Sequence, residues 1–315
     1  MKGNYMSITR RGFLTTGALA AAGTAILPGT VSAKESKAKC QAKSKGVLKL
    51  SAQIWIIPGK DLAERLATME KWGFDGVELP GADQSDKGLP SIIGNEKLYE
   101  DAIKNTKLKV SAICGGKGTG DARIVSEDVS KRAGGIEDLK RLVTSAGALH
   151  STGVIYVPAF NGGTKLGNFE VRKILVDTLP AIGEHAHQAG TRVVLEPLNR
   201  GEAFFLRQVA DGASIIRDCK KPGLGVMGDF YHMYIEETSD LGAFISGGSY
   251  VHHCHLASRI RVLPGQDERK FVEGFRGLKW IGYQDYCSFE CGVRGDAKVE
   301  IPKSMAFLRD QWAKA

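Results

Sequence analysis

From Val47 onward, short apolar runs alternate with longer stretches in which apolar residues recur every three or four positions. The short runs predict strands at Leu48–Trp55, Phe74–Leu79, Leu108–Cys114, Val154–Ala159, Arg192–Glu196, Gly225–Asp229, Tyr250–Leu256 and Tyr286–Cys291. The longer stretches predict amphipathic helices at Asp61–Trp72, Ile136–Ala146, Val171–Ala189 and Gln208–Cys219, with a closing helix near Pro302–Trp312. Eight strands alternating with helices over roughly 270 residues is the arithmetic of a (β/α)8 TIM barrel. A doubly wound sheet is the competitor, and it usually carries a glycine-rich phosphate turn after its first strand. Ser51-Ala52-Gln53-Ile54-Trp55 offers none. The expected fold is therefore α/β, a single-domain TIM barrel over 47–315.

The first 46 residues break the pattern. Thr9-Arg10-Arg11-Gly12-Phe13-Leu14, a short apolar stretch and Val31-Ser32-Ala33 follow the basic, apolar, small-residue order of a secretory signal. The paired arginines before Phe-Leu resemble the twin-arginine class, which implies export of an already folded chain to the periplasm. The apolar stretch is well under the ~20 residues a bilayer requires, so stable membrane insertion is not expected. Residues 34–46 (KESKAKCQAKSKG) are polar and low in complexity and read as a disordered tether.

Charge then changes the picture less than its total suggests. The chain carries +8, of which 1–33 contribute +3 and 34–46 contribute +4, leaving +1 on the barrel. A nucleic-acid enzyme needs its basic excess on the folded domain, so no nucleic-acid partner is expected. The six cysteines lie outside any CxxC pair and read as buried thiols, with pairing open in an oxidising compartment.

In a barrel, chemistry collects where the strands end. The fifth predicted strand ends in Glu196, the sixth in Asp229 and the eighth carries Glu290, while the seventh carries His255. Their spacings of 33, 26 and 35 residues are each about one strand–helix unit, which sets the four side chains at one height on neighbouring strands. Three carboxylates and an imidazole cannot stay unpaired in a low-dielectric pocket, and one divalent cation neutralises them. An oxygen-rich set with one nitrogen suits Mn2+, Mg2+ or Co2+.

The stretches LEPLNRGE (195–202), GDFYHMYIEE (228–237), HCHLASRIRVLPG (253–265) and SFEC (288–291) resemble the sugar isomerase/epimerase barrels, closest to ketose 3-epimerases of the tagatose/allulose type. The resemblance implies one metal, usually manganese, on Glu196, Asp229, His255 and Glu290, with Glu196 and Glu290 also serving as the acid/base pair. It further implies that Glu202, His232 and Arg261 contact the oxygens of a small sugar. Gly201, where the family often has an aromatic residue, and the loop Asp267–Lys279 depart from its pattern, which leaves the particular sugar open.

Read as chemistry, such a site removes a proton next to a carbonyl, stabilises the resulting enediolate and returns a proton to the other face. Glu78, ending the second strand, is a further candidate for substrate contact or support, His253 for support of the ligands, and Asn199 and Arg200 for holding the Glu196 loop. A lyase or isomerase acting on 3-keto-sugars or keto-glycosides, or one of hydroxypyruvate isomerase type, would use the same groups, and a non-catalytic sugar-binding barrel is the alternative outside enzymes. Apurinic endonuclease chemistry needs more histidines than the seven present. A homo-oligomer is compatible with the barrel.

Overall fold

The computed structural model describes residues 45–115 and 124–315, so the signal and all but the last two tether residues lie outside the described residues. Eight parallel strands appear in the expected order: β1 (Lys49–Ala52), β2 (Gly76–Pro80), β3 (Lys109–Cys114), β4 (Val154–Tyr156), β5 (Val193–Leu195), β6 (Leu224–Asp229), β7 (Val251–Leu256) and β8 (Tyr286–Phe289). From β2 to β8 each strand pairs with the next in sequence, β1 pairs with β8, and an isolated parallel bridge from Gln53, just past β1, reaches Glu78 on β2. Eight parallel strands thus form a nearly closed TIM barrel.

The connecting helices are α1 (Leu62–Trp72), α2 (Glu96–Ile103), α3 (Val129–Ala148), α4 (Asn168–Gln188), α5 (Val209–Cys219), α6 (Phe230–Glu236), α7 (Asp240–Gly247), α8 (Val272–Ile281) and α9 (Ala297–Lys314). Capping sets several of their ends. Asp61 accepts the Glu64 N–H to start α1, and Gly73, at φ 82°, ends it in the left-handed region. The closing helix begins five residues before Pro302 because Asp296 caps it through the Lys298 N–H. Much of the stretch read as a loop over 267–279 is likewise helix α8. Gly274 lets α8 approach α6, since a Cβ there would collide with the Phe230 ring.

Strand alternation sorts the side chains. Val110, Val154, Val193, Val226, Cys254 and Cys287 join the large core between strands and helices. Ala112, Ile155, Val194 and Met227 form a separate apolar cluster on β3 to β6, inside the barrel. Ser51, His253 and Ser288 are buried on the remaining side. The ladder shifts register between Val77 and Glu78 and between Val226 and Met227, opposite the extra residues Ser111 and His252. Ser51 and Ser111 then meet across the interior at 2.6 Å.

Candidate metal centre

Two residues beyond the interior layer, the same alternation produces the mouth. Glu196 follows Val194, Asp229 follows Met227, His255 follows His253 and Glu290 follows Ser288. One ligand atom from each of these four lies within 4.8 Å of the others, and this is one of the groups able to hold a metal ion among the described residues. His255 Nδ1 stands 3.2 Å from Glu196 Oε1 and 3.0 Å from Glu290 Oε2.

Asp229 shows most directly that the set fits a cation. Its Oδ1 accepts the Tyr231 N–H at 2.7 Å and caps α6. Its Oδ2 is buried without a hydrogen bond, 3.5 Å from His232 Nε2. Charge points the same way. Burial, with Glu290 nearby, pushes the Asp229 carboxyl well above the usual range, and burial raises Glu196. Burial also opposes ionisation of Glu290, but His255 and Arg261 outweigh it and hold this carboxyl low. For His255, the neighbouring Glu290 and Glu78 overcome burial and raise the imidazole. Three carboxylates at one point resist full ionisation until a positive charge joins them, and a divalent cation supplies it. The donor set therefore fits such an ion.

Glu202, His232 and Arg261 gather on one side of this group. Arg261 donates from Nη2 to Glu290 Oε2 at 2.8 Å, lies over the Tyr231 ring and sits 3.6 Å from Glu202. Its backbone is left-handed at φ 57°, rare for a residue with a Cβ. The Arg261 N–H to Ser258 carbonyl bond and the Gly292 N–H to Arg261 carbonyl bond hold that turn. His232 is buried, and burial together with Arg261 lowers it to about 3, so the ring is neutral. The Asn199 backbone N–H and side-chain amide both donate to its Nδ1. A backbone N–H can only donate, so the ring proton is on Nε2. Arg200 makes a paired contact with Glu236 that fastens the 199–202 loop.

Of the two places expected of Glu78, substrate contact or support, its position matches support. Its side chain is 0% exposed, and its Oε2 lies 3.1 Å from His253 Nε2 and 3.0 Å from His255 Nε2. It sits behind the ligand histidine. His253, expected to support the ligands, shares this carboxylate with His255 and packs edge-on against its ring, centroids 5.1 Å apart. Two residues escaped the sequence reading. Gln53 donates from Nε2 to Glu78 Oε1 at 2.9 Å and to Glu290 Oε1 at 3.0 Å. Glu236 holds Arg200. Lys49, Ser51 and Gln53, polar at period two along the first predicted strand, were the signal for the first; nothing local marks the second.

The comparisons agree with this geometry. The chain is 27% identical over 275 residues to 3-dehydro-D-guloside 4-epimerase of Escherichia coli K12, covering 83% of this chain and 99% of that protein. It is 27% identical over 256 residues to L-ribulose 3-epimerase of Mesorhizobium japonicum, covering 80% and 83%. The crystal structure of apo 3-keto-D-glucoside 4-epimerase from E. coli superposes with a TM-score of 0.73 at 27% identity, covering 84% of this chain and 100% of that one. The family model for the xylose isomerase-like TIM barrel matches residues 66–311. The chain belongs to the xylose isomerase-like TIM barrel family.

Proposed function

We propose that the chain is a metal-dependent carbohydrate epimerase that inverts a carbon next to the carbonyl of a keto-sugar. The observation that carries this is the convergence of Glu196, Asp229, His255 and Glu290 on one point, with the buried Asp229 Oδ2 left without a hydrogen bond. Mn2+ is the ion we assign, with Mg2+ and Co2+ as substitutes. When bound, it stabilises negative charge developing on the substrate's carbonyl oxygen.

The side chains do the rest. One of Glu196 and Glu290 removes the carbon-bound proton, and the C–H electron pair moves into the enediolate. The other carboxyl gives a proton to the opposite face, which restores the carbonyl and inverts the centre. His232 Nε2–H and Arg261 Nη1–H are two donors 3.0 Å apart. A substrate oxygen accepting from both relieves that opposition, which supports a substrate-orienting role for the pair. Glu202, with its side chain 43% exposed, is placed to accept from a sugar hydroxyl.

The substrates named in the E. coli sequence and structure matches favour a 3-keto-glycoside over a free ketose. Export through the twin-arginine signal is part of the same proposal, since an unphosphorylated glycoside suits an extracytoplasmic enzyme. The test is to load the purified chain with Mn2+ and incubate it in D2O with free ketoses and 3-keto-glycosides. Deuterium at the carbon beside the carbonyl, with epimer formation, is expected. Metal and substrate binding with no exchange would mark a sugar-binding barrel instead.

A further inference from the structure

Two groups able to hold a metal ion share one residue among the described ones: Glu196, Asp229, His255 and Glu290 at the mouth, and Glu78, His253 and His255 beneath it. We propose that Glu78 is a positioning residue that keeps the His255 proton on Nε2, reserves Nδ1 for the mouth cation and leaves the deeper group free of metal. This rests on the cation site proposed above.

The geometry separates the two uses of His255. Nδ1 faces the Glu196 and Glu290 oxygens, and Nε2 faces Glu78 Oε2 at 3.0 Å. In a neutral imidazole one nitrogen carries the proton and the other the lone pair. A cation on Nδ1 therefore requires the proton on Nε2, where only a buried acceptor satisfies it, and Glu78 is that acceptor. A cation beneath requires the reverse, with Nε2 as lone pair and the Nδ1 proton pointed into the mouth.

His253 decides between them. Its Nε2 stands 3.1 Å from the same Glu78 oxygen, and its Nδ1 is buried without a hydrogen-bond partner. With its proton on Nε2, His253 donates to Glu78 and leaves only an unpaired acceptor. A deeper cation would move that proton to Nδ1 and bury an unpaired N–H donor, which folded proteins tolerate less often than an unpaired acceptor. Both rings thus point a proton at Glu78. Gln53 completes the connection, spanning Glu78 Oε1 and Glu290 Oε1 with one amide, so that Glu290 Oε2 remains beside His255 and Arg261.

The experiment uses the full chain, its Glu78→Gln and Gln53→Leu variants, and Mn2+ alone in equilibrium dialysis. One Mn2+ per wild-type chain is expected. Glu78→Gln is expected to weaken binding on the order of 10- to 100-fold, the usual effect of removing a carboxylate behind a ligand histidine; Gln53→Leu weakens it less. Imidazole 15N NMR of the Mg2+-loaded wild-type chain supplies a readout that does not depend on a variant folding. It is expected to show His255 protonated at Nε2 and bound through Nδ1. Two Mn2+ per wild-type chain, a loaded His255 protonated at Nδ1, or unchanged affinity in Glu78→Gln would each overturn the assignment. Failure of deuterium exchange with this binding pattern intact would remove the epimerase reading and leave the role of Glu78 standing; a wild-type chain that binds no Mn2+ overturns both.

Discussion

The two halves of the barrel interior are built differently, and the four candidate ligands divide between them. Over β3 to β6 the interior is Ala112, Ile155, Val194 and Met227, with Ser111 of β3 at its edge against Ser51. Over β7, β8, β1 and β2 it is His253, Ser288, Ser51, Gln53 and Glu78, all buried. Glu196 and Asp229 rise from the apolar half with nothing polar beneath them, and burial raises both carboxyls. His255 and Glu290 rise from the polar half, where Glu78 and Gln53 hold them, and Glu290 is kept low. The same residue type therefore has opposite acidity at two strand ends: burial wins at Glu196, whereas His255 and Arg261 beside Glu290 outweigh it there. The apolar half supplies stiffness and a low-dielectric wall; the polar half supplies orientation.

Four outcomes would break or sharpen that contrast. The largest belongs to Glu290→Gln, expected to lose about 10²- to 10⁴-fold in deuterium exchange, the span typical of acid/base groups. Mn2+ binding should survive at least in part. Exchange at the wild-type rate would remove Glu290 from the proton path. Next comes Met227→Ala in the apolar half, expected to cost roughly 2–5 kcal/mol in denaturant unfolding through the cavity it leaves. Its Mn2+ affinity should stay within about twofold, and a large loss of affinity would show that the two halves are not separable in this way.

Metal removal follows. Mn2+ at about one hundred times its Kd adds about 2.7 kcal/mol to a folded state that alone binds it. A chelator should therefore lower the thermal midpoint of the Mn2+-loaded chain, and returning Mn2+ in excess should restore it. The smallest effect is expected from Arg200→Ala. That side chain is 66% exposed in its pair with Glu236, so the stability change should stay within about 1 kcal/mol. The loop carrying Glu202 loosens, which should raise KM while leaving kcat nearly unchanged. An unaltered KM would detach the loop from substrate binding.

Much of the barrel was legible because its signals are local. Strand period and helix period differ, and each β–α unit repeats the contrast. The boundaries that slipped are those set by capping, as at Asp296, where one side-chain hydrogen bond outcompeted the proline as the start of α9. Glu78 was visible as a strand-end carboxylate, yet its neighbours were not. His255 lies 177 residues further along the chain.

By itself, the order of residues determined the alternation of elements and the chemical types delivered to the mouth, because a side chain's face on a strand depends only on counting by twos. Which oxygen meets which nitrogen was decided by closure. Only when the last strand returns beside the first does Gln53 reach Glu290, 237 residues away. Bulges at Ser111 and His252 adjust the facing that simple counting gives, and they arise from fitting eight twisted strands into a ring. The division of the interior into an apolar and a polar half is a property of that ring, with its seam on β3, where Ser111 meets Ser51 and Ala112 joins the apolar cluster.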